Sequence, residues 1–364
     1  MIENLSALLY FYVLSQNKYP SMSEKISAKE FYTLSKEIPV IDVRSPKEFD
    51  LGHIPNAHNI PIFSNDERAV VGTKFKQEGR EPAILVGLEI VGSKLRTFAN
   101  TARKLAKKNT LLVHCWRGGM RSSSMAWLFE TVGIKVYLLE GGYKAFRSYG
   151  KSQLAASENL IILGGLTGSG KTETLLKIKE KGEQVVDLEG LAHHKGSAFG
   201  SLGQEPQLPN EQFENNLIYE WLSLDLKKPI WLEDESHSIG SNWLPKELFS
   251  LMRKSPVLKM ELPKEERINR LINEYAGFDA KYLEECILKI GKRLGGQNVK
   301  QALESLENGD LSTVADLTLV YYDKSYGHGL NSRNENSVFP VKLDSDNPEK
   351  NADILVEFVR KNIN

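Results

Sequence analysis

The chain has 364 residues, a length that predicts two domains rather than one small module. With 41% hydrophobic and 26% charged residues, its composition excludes a disordered or fibrous protein and predicts ordinary globular cores. Basic and acidic residues number 47 each, so the zero net charge gives no sign of a nucleic-acid partner. The two cysteines, Cys115 and Cys286, are too few for a disulfide framework and favour the reducing cytoplasm.

Residues 1–22 are predicted to be an N-terminal extension. Their apolar centre follows Glu3 and no basic residue, and a small-residue cleavage site is missing, so the segment fits a signal peptide poorly. No apolar stretch approaches the ~18–20 residues of a membrane helix, so we expect no membrane partner. Met22 opens a segment typical of a domain start.

Short apolar stretches separated by helical patterns predict an α/β protein with two parallel-sheet domains. We place these domains at residues 23–150 and 151–364. The predicted strands lie at 38–43, 110–115, within 132–142, and at 160–165, 183–188, 229–234 and 337–344. The clearest helices begin at Lys171, span 210–224, and span 348–362.

The strongest chemical motif is GLTGSGKT, which fits the P-loop pattern G-x-x-x-x-G-K-[ST] between a predicted strand and a predicted helix. Its glycines let backbone N–H groups turn toward phosphate oxygens, and the helix N-terminus adds positive potential. Lys171 would neutralise phosphate charge, and Thr172 could bind Mg²⁺. No base-specific signature accompanies the motif, so it indicates a diphosphate of unspecified kind; a chance Gly-rich turn is the alternative. The predicted phosphate-binding residues are Gly165, Gly168, Ser169, Gly170, Lys171 and Thr172.

Three acidic residues are candidate substrate or metal contacts. Asp234 ends the predicted strand 229–234, an apolar run followed by acids that is typical of a strand beside a metal. Asp187 and Glu189 lie at the end of the predicted strand 183–188, so their side chains should face the P-loop crevice. The alternative is that the strand at 229–234 ends in solvated carboxylates.

Other polar residues near these strands carry weaker signals. Lys195 could touch phosphate. Arg267 and Arg270 lie three apart on one predicted helix face, either as lid arginines that reach phosphates or as a solvated face. The adjacent His193 and His194 side chains diverge, and the chain has no zinc-ligand pattern, so no metal site is predicted.

A second motif, HCWRGGMR, follows the predicted strand 110–115 and precedes a predicted helix. A cysteine at this position lies among inward N–H groups that favour the thiolate, and Arg117 and Arg121 add positive charge. Cys115, Arg117 and Arg121 are therefore the predicted catalytic residues. A structural role is expected for His114, which precedes the nucleophile inside the strand, and Cys286 is expected to be a buried inert thiol.

The segment IDVRSPKEFDLGHIPNAHNIP, residues 41–61, resembles the signature of rhodanese-type sulfurtransferases, with Asn56 where that family usually has Gly. The resemblance covers about residues 23–150 and implies a loop cysteine that carries sulfur or its analogue, with Asp42 and Arg44 mainly structural. Five residues separate Cys115 from Arg121, one more than in the common sulfur-transfer loop. This is the spacing of cysteine-dependent phosphatases, and it should admit a tetrahedral phosphorus group. A cysteine-dependent sulfurtransferase or phosphatase fused to a P-loop kinase is therefore one alternative.

The motifs HCWRGGMRS, GGYKAFR, LTGSGKTE, DLEGLAHHKGSAFG and WLEDES, in this order, are similar to those of the tRNA 2-selenouridine synthase family. The resemblance implies a rhodanese-like domain joined to a P-loop NTPase-like domain in a transferase acting on the wobble uridine of tRNA. It implies S-geranylation of 2-thiouridine by geranyl diphosphate, followed by selenium transfer from selenophosphate. We expect no prosthetic group and a monomeric protein. The sequence does not decide whether the reaction requires Mg²⁺.

Charge is unevenly distributed despite the zero total. Residues 91–151 hold twelve Lys or Arg and two Glu, a net charge of +10 around the cysteine motif. Such a block can attract a phosphate backbone, although a Lys-rich surface helix is the simpler alternative. Tyr143, Phe146 and Tyr149 could stack on bases of an anticodon loop or pack between domains. A non-catalytic tRNA-binding protein is a further alternative.

Overall fold

The computed structural model describes residues 23–331, 333 and 337–363. The predicted N-terminal extension, residues 1–22, lies outside the described residues. The chain divides into two compact units, one ending at Gly150 and the other beginning at Lys151. Both units are α/β structures with parallel sheets, as the sequence predicts.

The first unit alternates strands and helices. Its elements are β1 (Glu24–Ile26), α1 (Ala28–Ser35), β2 (Val40–Asp42), α2 (Pro46–Leu51), β3 (His58–Asn59), α3 (Asn65–Glu78), α4 (Arg80–Gly92), α5 (Leu95–Leu105), β4 (Thr110–His114), α6 (Met120–Thr131), β5 (Lys135–Leu139) and α7 (Gly142–Ala155), the last of which continues past Gly150.

The sheet of the first unit has the order β1-β5-β4-β2-β3, and every pairing is parallel. Strand β4 lies at its centre because its apolar side chains are buried on both faces, as parallel sheets require. Its carboxyl end leads into the cysteine motif. Asn56 has a φ of 65°, in the left-handed region that Gly adopts freely and Asn tolerates better than most other residues. This conformation explains why Asn can replace the Gly of the rhodanese signature at this position.

The second unit has a five-stranded parallel sheet, a two-stranded antiparallel sheet and a mainly helical part. Its elements are β6 (Leu160–Gly165), α8 (Lys171–Glu180), β7 (Gln184–Val185), α9 (Leu188–Ala192), α10 (Asn210–Trp221), β8 (Ile230–Glu233), β9 (Ser238–Ile239), β10 (Asn242–Trp243), α11 (Lys246–Met252), β11 (Val257–Glu261), α12 (Lys264–Tyr275), α13 (Ala280–Leu294), α14 (Gly296–Glu307), α15 (Leu311–Asn331), β12 (Val338–Lys342) and α16 (Pro348–Asn362). Strands β9 and β10 form the antiparallel sheet, and the mainly helical part lies between β11 and β12.

The parallel sheet of the second unit has the order β12-β11-β6-β8-β7. Strand β6, buried at all six positions, lies at its centre, with β8 and β7 on one side and β11 and β12 on the other. The carboxyl end of β6 is therefore the switch point where α/β sheets bind ligands. The predicted strand at 183–188 is shorter than expected because Asp187 caps α9 and ends the extended backbone.

Helices α13, α14 and α15 form a separate apolar cluster that includes Leu283, Ile287 and Val314. Cys286 lies inside this cluster, where burial raises the pKa of its thiol. This burial confirms the structural interpretation of Cys286. Of the helices in the described ranges, none is long and apolar enough to cross a membrane.

Candidate active sites

The cysteine loop of the first unit connects β4 to α6. Its backbone is held by α7, since Tyr143 N donates to Cys115 O at 2.9 Å and Lys144 N donates to Trp116 O at 3.1 Å. Gly142 lies directly against the loop. A Cβ added at Gly142 would come within 2.4 Å of Cys115 O and 2.4 Å of Gly118 N. The GGYKAFR motif therefore shapes the cysteine loop through close backbone packing.

We expect Gly142→Ala to destabilise the first unit more than Gly133→Ala. Both glycines have positive φ, 63° and 88°, so each substitution should cost about 1–2 kcal/mol of left-handed strain. Nothing lies within 4 Å of a Cβ at Gly133, whereas Gly142 meets the loop backbone, which should add about 2 kcal/mol, as overpacking does. Urea unfolding of both variants, followed by hydrogen exchange in β4, measures the difference. Equal losses would contradict the packing argument.

Cys115 points into the base of the loop and is 3% exposed. Its Sγ lies 3.2 Å from Ser122 Oγ, in the first turn of α6, and Ser122 Oγ also donates to Gly119 O at 3.0 Å. The Ser122 hydroxyl is thus the nearer polar partner of the sulfur, which also lies 4.0 Å from Gly119 O. Cys115 is buried at the bottom of its loop and lies beside the N-terminus of α6, the positive end of the helix dipole. This position suits a nucleophile that binds an anionic group.

The two predicted arginines differ in their surroundings. Arg117 is exposed on the loop. Arg121 donates to Glu48 Oε2 at 2.8 Å, in the segment that resembles the rhodanese signature. Burial raises the pKa of Glu48, but the Arg121 hydrogen bond and charge outweigh it and leave that pKa below its ordinary value. Arg121 is therefore a neutralised, oriented group, and Arg117 is the exposed cation of the loop.

Behind the loop lies a buried polar cluster. Arg44 donates to Asp42 Oδ2 at 2.6 Å and to Gly52 O at 2.7 Å, and its guanidinium lies 3.9 Å from the Tyr143 ring centroid. His114 is fully buried, and burial lowers its pKa to about 4, so the imidazole is neutral at physiological pH. These contacts place Asp42, Arg44 and His114 in structural positions.

The basic stretch divides between two edges of the sheet. Lys135 N donates to Asn109 O, and Arg103 donates to Val132 O, so these residues lie with Lys107 and Lys108 at the amino end of β4 and β5. Cys115 follows the other end of β4, roughly 16 Å away at the rise of a strand. Arg117, Arg121 and Lys144 lie at that carboxyl edge. The +10 charge is therefore not one surface around the cysteine.

The aromatic residues of α7 do not form a stacking platform. Tyr143 and Phe146 are both fully buried, and Tyr143 packs against His114 and Trp116. The interpretation that these two rings stack on bases is wrong, because neither ring is accessible. Tyr149 is half-buried.

The P-loop of the second unit joins β6 to α8. Gly168 and Gly170 have φ values of 79° and 70°, which turn the backbone as a phosphate cradle requires. Lys171 begins α8, and its Nζ donates to Gly165 O at 3.0 Å. The predicted phosphate-binding residues all lie together at the carboxyl end of the central strand.

Two carboxylates lie beside the P-loop. Thr172 Oγ1 donates to Glu189 Oε2 at 2.7 Å, and Glu189 interacts in turn with Glu235. Burial raises the pKa of Glu189, and burial together with the Glu189 charge raises the pKa of Glu235 well above its ordinary value. The pair therefore holds a proton more readily than ordinary carboxylates.

The other two predicted acids have structural partners. Asp187 Oδ1 accepts from Gly190 N at 2.7 Å as the cap of α9. Asp234 forms an ion pair with the buried Arg333 and accepts from Tyr326 at 3.1 Å. The Asp234 carboxylate lines the cavity but is already paired, which contradicts the alternative of a freely solvated group.

Basic side chains around the P-loop are also paired. Arg267 is buried, forms two 2.8 Å hydrogen bonds to Asp323 and donates to Thr167 O at 3.2 Å. It therefore holds the P-loop backbone in place and does not lie on a solvated helix face. Arg270 lines the cavity and bonds Asp346 at 2.8 Å. Lys195 also lines the cavity, in an ion pair with Glu274.

A cavity of about 720 Å³ opens above the P-loop. Its floor is polar, formed by residues 167–173 with Glu189 and Glu235, and part of its wall consists of Leu271, Tyr275 and Tyr322. Within the described part of the chain, no group of three or more His, Cys, Asp or Glu is arranged to hold a metal.

Sequence reasoning missed three residues of these sites. Ser122 follows Arg121 directly, so its place in the same helical turn was a usable signal. Glu48 is 73 residues from Arg121, and only the rhodanese-like signature marks it. Glu235 lies in the WLEDES segment, for which solvated carboxylates are one alternative, and no sequence signal marks its contact with Glu189.

Comparison with known proteins agrees with these two units. Residues 27–149 match the model of the rhodanese-like domain, and residues 158–347 match that of the tRNA 2-selenouridine synthase AAA domain. A rhodanese-related protein from Thermoplasma volcanium is 22% identical over 35% of this chain and 93% of that chain, with a TM-score of 0.23. Because this TM-score is low, the structural match adds no support to the two domain matches.

Curated relatives match nearly end to end. The tRNA 2-selenouridine synthase of Shewanella frigidimarina is 36% identical, covering 87% of this chain and 96% of the relative. That of Shewanella sediminis is 35% identical, covering 87% and 95%. Since both units and their order are shared at this identity, the chain belongs to the tRNA 2-selenouridine synthase family.

Proposed function

We propose that this protein converts 2-thiouridine at the wobble position of tRNA to 2-selenouridine, using geranyl diphosphate and then selenophosphate. The observation that carries the proposal is the P-loop cavity, which combines a phosphate-binding floor with an apolar aromatic wall. Such a cavity suits a diphosphate attached to a hydrocarbon. The name of the curated relatives, tRNA 2-selenouridine synthase, supports 2-selenouridine in tRNA as the product.

In the first step the sulfur of 2-thiouridine attacks C1 of geranyl diphosphate. A C–S bond forms, the C–O bond breaks, and the diphosphate leaves with the electron pair while the base loses its N3 proton. Lys171 and the P-loop amides stabilise the negative charge that develops on the leaving group. The P-loop thereby acts on a prenyl donor without any nucleotide.

In the second step Cys115 releases selenium from selenophosphate. Its thiolate attacks phosphorus, so an S–P bond forms, the P–Se bond breaks, and hydrogen selenide leaves. The selenide then attacks C2 of the base and displaces geranylthiolate, and water hydrolyses the phosphocysteine to phosphate. The five-residue interval between Cys115 and Arg121, which should admit a tetrahedral phosphorus group, supports attack at phosphorus.

Mass spectrometry of nucleosides tests the proposal directly. Incubating 2-thiouridine tRNA with the protein and geranyl diphosphate should yield the S-geranyl nucleoside, and adding selenophosphate should convert it to 2-selenouridine. Phosphate release from simple phosphoesters, or thiocyanate formation, without any change in tRNA nucleosides would instead favour a phosphatase or a sulfurtransferase.

tRNA binding should depend on the carboxyl edge of the first sheet. We expect the double substitution Arg117→Ala and Lys144→Ala to weaken tRNA binding at least fivefold and to flatten the salt dependence by about one to two units of slope. The matched pair Lys108→Ala and Lys135→Ala, at the opposite edge, should leave affinity within about twofold. Filter binding over a range of salt concentrations measures both, and equal losses would contradict the assignment.

A further inference from the structure

A small apolar pocket of about 50 Å³ adjoins the P-loop cavity of the second unit. We call it the distal pocket; its inner wall comprises Phe199, Leu283, Leu311, Val314, Ala315 and Thr318. Thr167, Leu271, Tyr275 and Tyr322 line both the distal pocket and the cavity. The pocket therefore borders the cavity and lies against α12, α13 and α15.

Three hydroxyl groups in the lining of the distal pocket, those of Ser197, Thr318 and Tyr322, already take part in hydrogen bonds within the protein. Thr318 Oγ1 donates to Val314 O at 2.9 Å, within its own helix. The Tyr322 hydroxyl accepts from Ala198 N at 2.9 Å. No charged side chain is among the described residues that line the pocket. A nucleobase would find few free hydrogen-bond partners here, whereas a hydrocarbon needs none.

We propose that the distal pocket binds the branched hydrocarbon end of the prenyl diphosphate, and that Ala315 limits the chain length accepted. This inference rests on the proposed function, which places the diphosphate on the P-loop. The pocket is small beside the 720 Å³ cavity, so it holds only the chain terminus. Ala315 is the smallest side chain of its inner wall, and a larger residue there would fill the space.

Calorimetric titration of the full chain with geranyl diphosphate, dimethylallyl diphosphate and inorganic diphosphate tests the pocket without requiring catalysis. Burial of two methylene groups corresponds to about a tenfold gain in affinity. We therefore expect the wild-type protein to bind geranyl diphosphate at least tenfold more tightly than dimethylallyl diphosphate, which lacks the terminal unit that the distal pocket would hold. Ala315→Phe should abolish this advantage while affinity for inorganic diphosphate stays unchanged, which also shows that the variant is folded.

Val320→Phe is the matched control, since Val320 is 53% exposed on the same helix and outside the pocket. It should retain the preference for geranyl diphosphate. The transfer assay should show the same pattern, with the geranyl-to-dimethylallyl rate ratio at least tenfold lower in Ala315→Phe.

The outcomes separate the two proposals. A geranyl preference that survives in Ala315→Phe overturns the distal pocket. The same holds if the wild-type protein binds geranyl and dimethylallyl diphosphate equally, or if Val320→Phe loses the preference for geranyl diphosphate as Ala315→Phe does. A preference that Ala315→Phe removes, with no prenyl transfer to tRNA by the wild type, would support the pocket and overturn the proposed reaction.

Discussion

Replacing Lys171 with alanine should lower the rate of geranyl transfer to tRNA by at least about 100-fold, the usual cost of removing one group that stabilises transition-state charge. The Lys171 ammonium lies at the first turn of α8, bonded to Gly165 O across the P-loop. Without it, the departing diphosphate keeps only the backbone amides. Chromatography of tRNA nucleosides after incubation with geranyl diphosphate measures the rate.

Lys177→Ala provides the matched control for this substitution. Lys177 lies on the same helix in a surface pair with Glu180 at 2.7 Å, outside the cavity, so its loss should leave the rate within about twofold. Lys171→Ala should also retain selenium transfer to tRNA that is supplied already geranylated. Loss of both steps would show that the substitution disrupts more than the diphosphate site.

Replacing Cys115 with serine should abolish selenium transfer from selenophosphate while geranyl transfer continues. A serine hydroxyl is a far weaker nucleophile than a thiolate, and in the loop it would still lie beside Ser122. Geranylated tRNA should therefore accumulate. Mass spectrometry should detect the S-geranyl nucleoside and no 2-selenouridine, a decrease of at least about 1000-fold, as for loss of a catalytic nucleophile.

Two further measurements make the role of Cys115 specific. Hydrogen selenide added in place of selenophosphate should restore 2-selenouridine formation in Cys115→Ser, because the cysteine is needed only to release selenide. Cys286→Ser, at the buried thiol of the second unit, should keep selenophosphate activity. Full selenium transfer from selenophosphate by Cys115→Ser would show that the assigned role is wrong.

Residues contiguous in the chain were predictable because their chemistry depends on local backbone. The P-loop needs only a strand, a Gly-rich turn and a helix N-terminus, and all three lie within residues 160–180. The strand 160–165 has the predicted bounds, because a strand in the centre of a parallel sheet is buried on both faces and therefore has an unbroken apolar run. The cysteine loop follows the same logic after β4.

Pairings between distant residues were not predictable. The acid at position 234 looked like a free carboxylate at a strand end, but Arg333, 99 residues later, neutralises it. Helical spacing allowed Arg267 to be either a lid arginine or part of a solvated face, yet it is buried against Asp323 and the P-loop backbone. Periodicity indicates which face of a helix a residue occupies but not which element covers that face.

By itself, the sequence determined the two α/β domains, the order of their motifs and the positions of the cysteine and P-loop residues, since these depend on contiguous patterns. Tertiary structure alone decided which charged side chains are paired within the protein and which can contact a substrate. Because of strand direction, Lys107, Lys108 and Lys135 lie at the end of the sheet opposite Cys115. The packing of α12, α13 and α15 forms an apolar pocket beside the P-loop cavity. The reason is physical: local backbone geometry is encoded along the chain, whereas charge pairing and cavity shape arise between elements that only folding brings together.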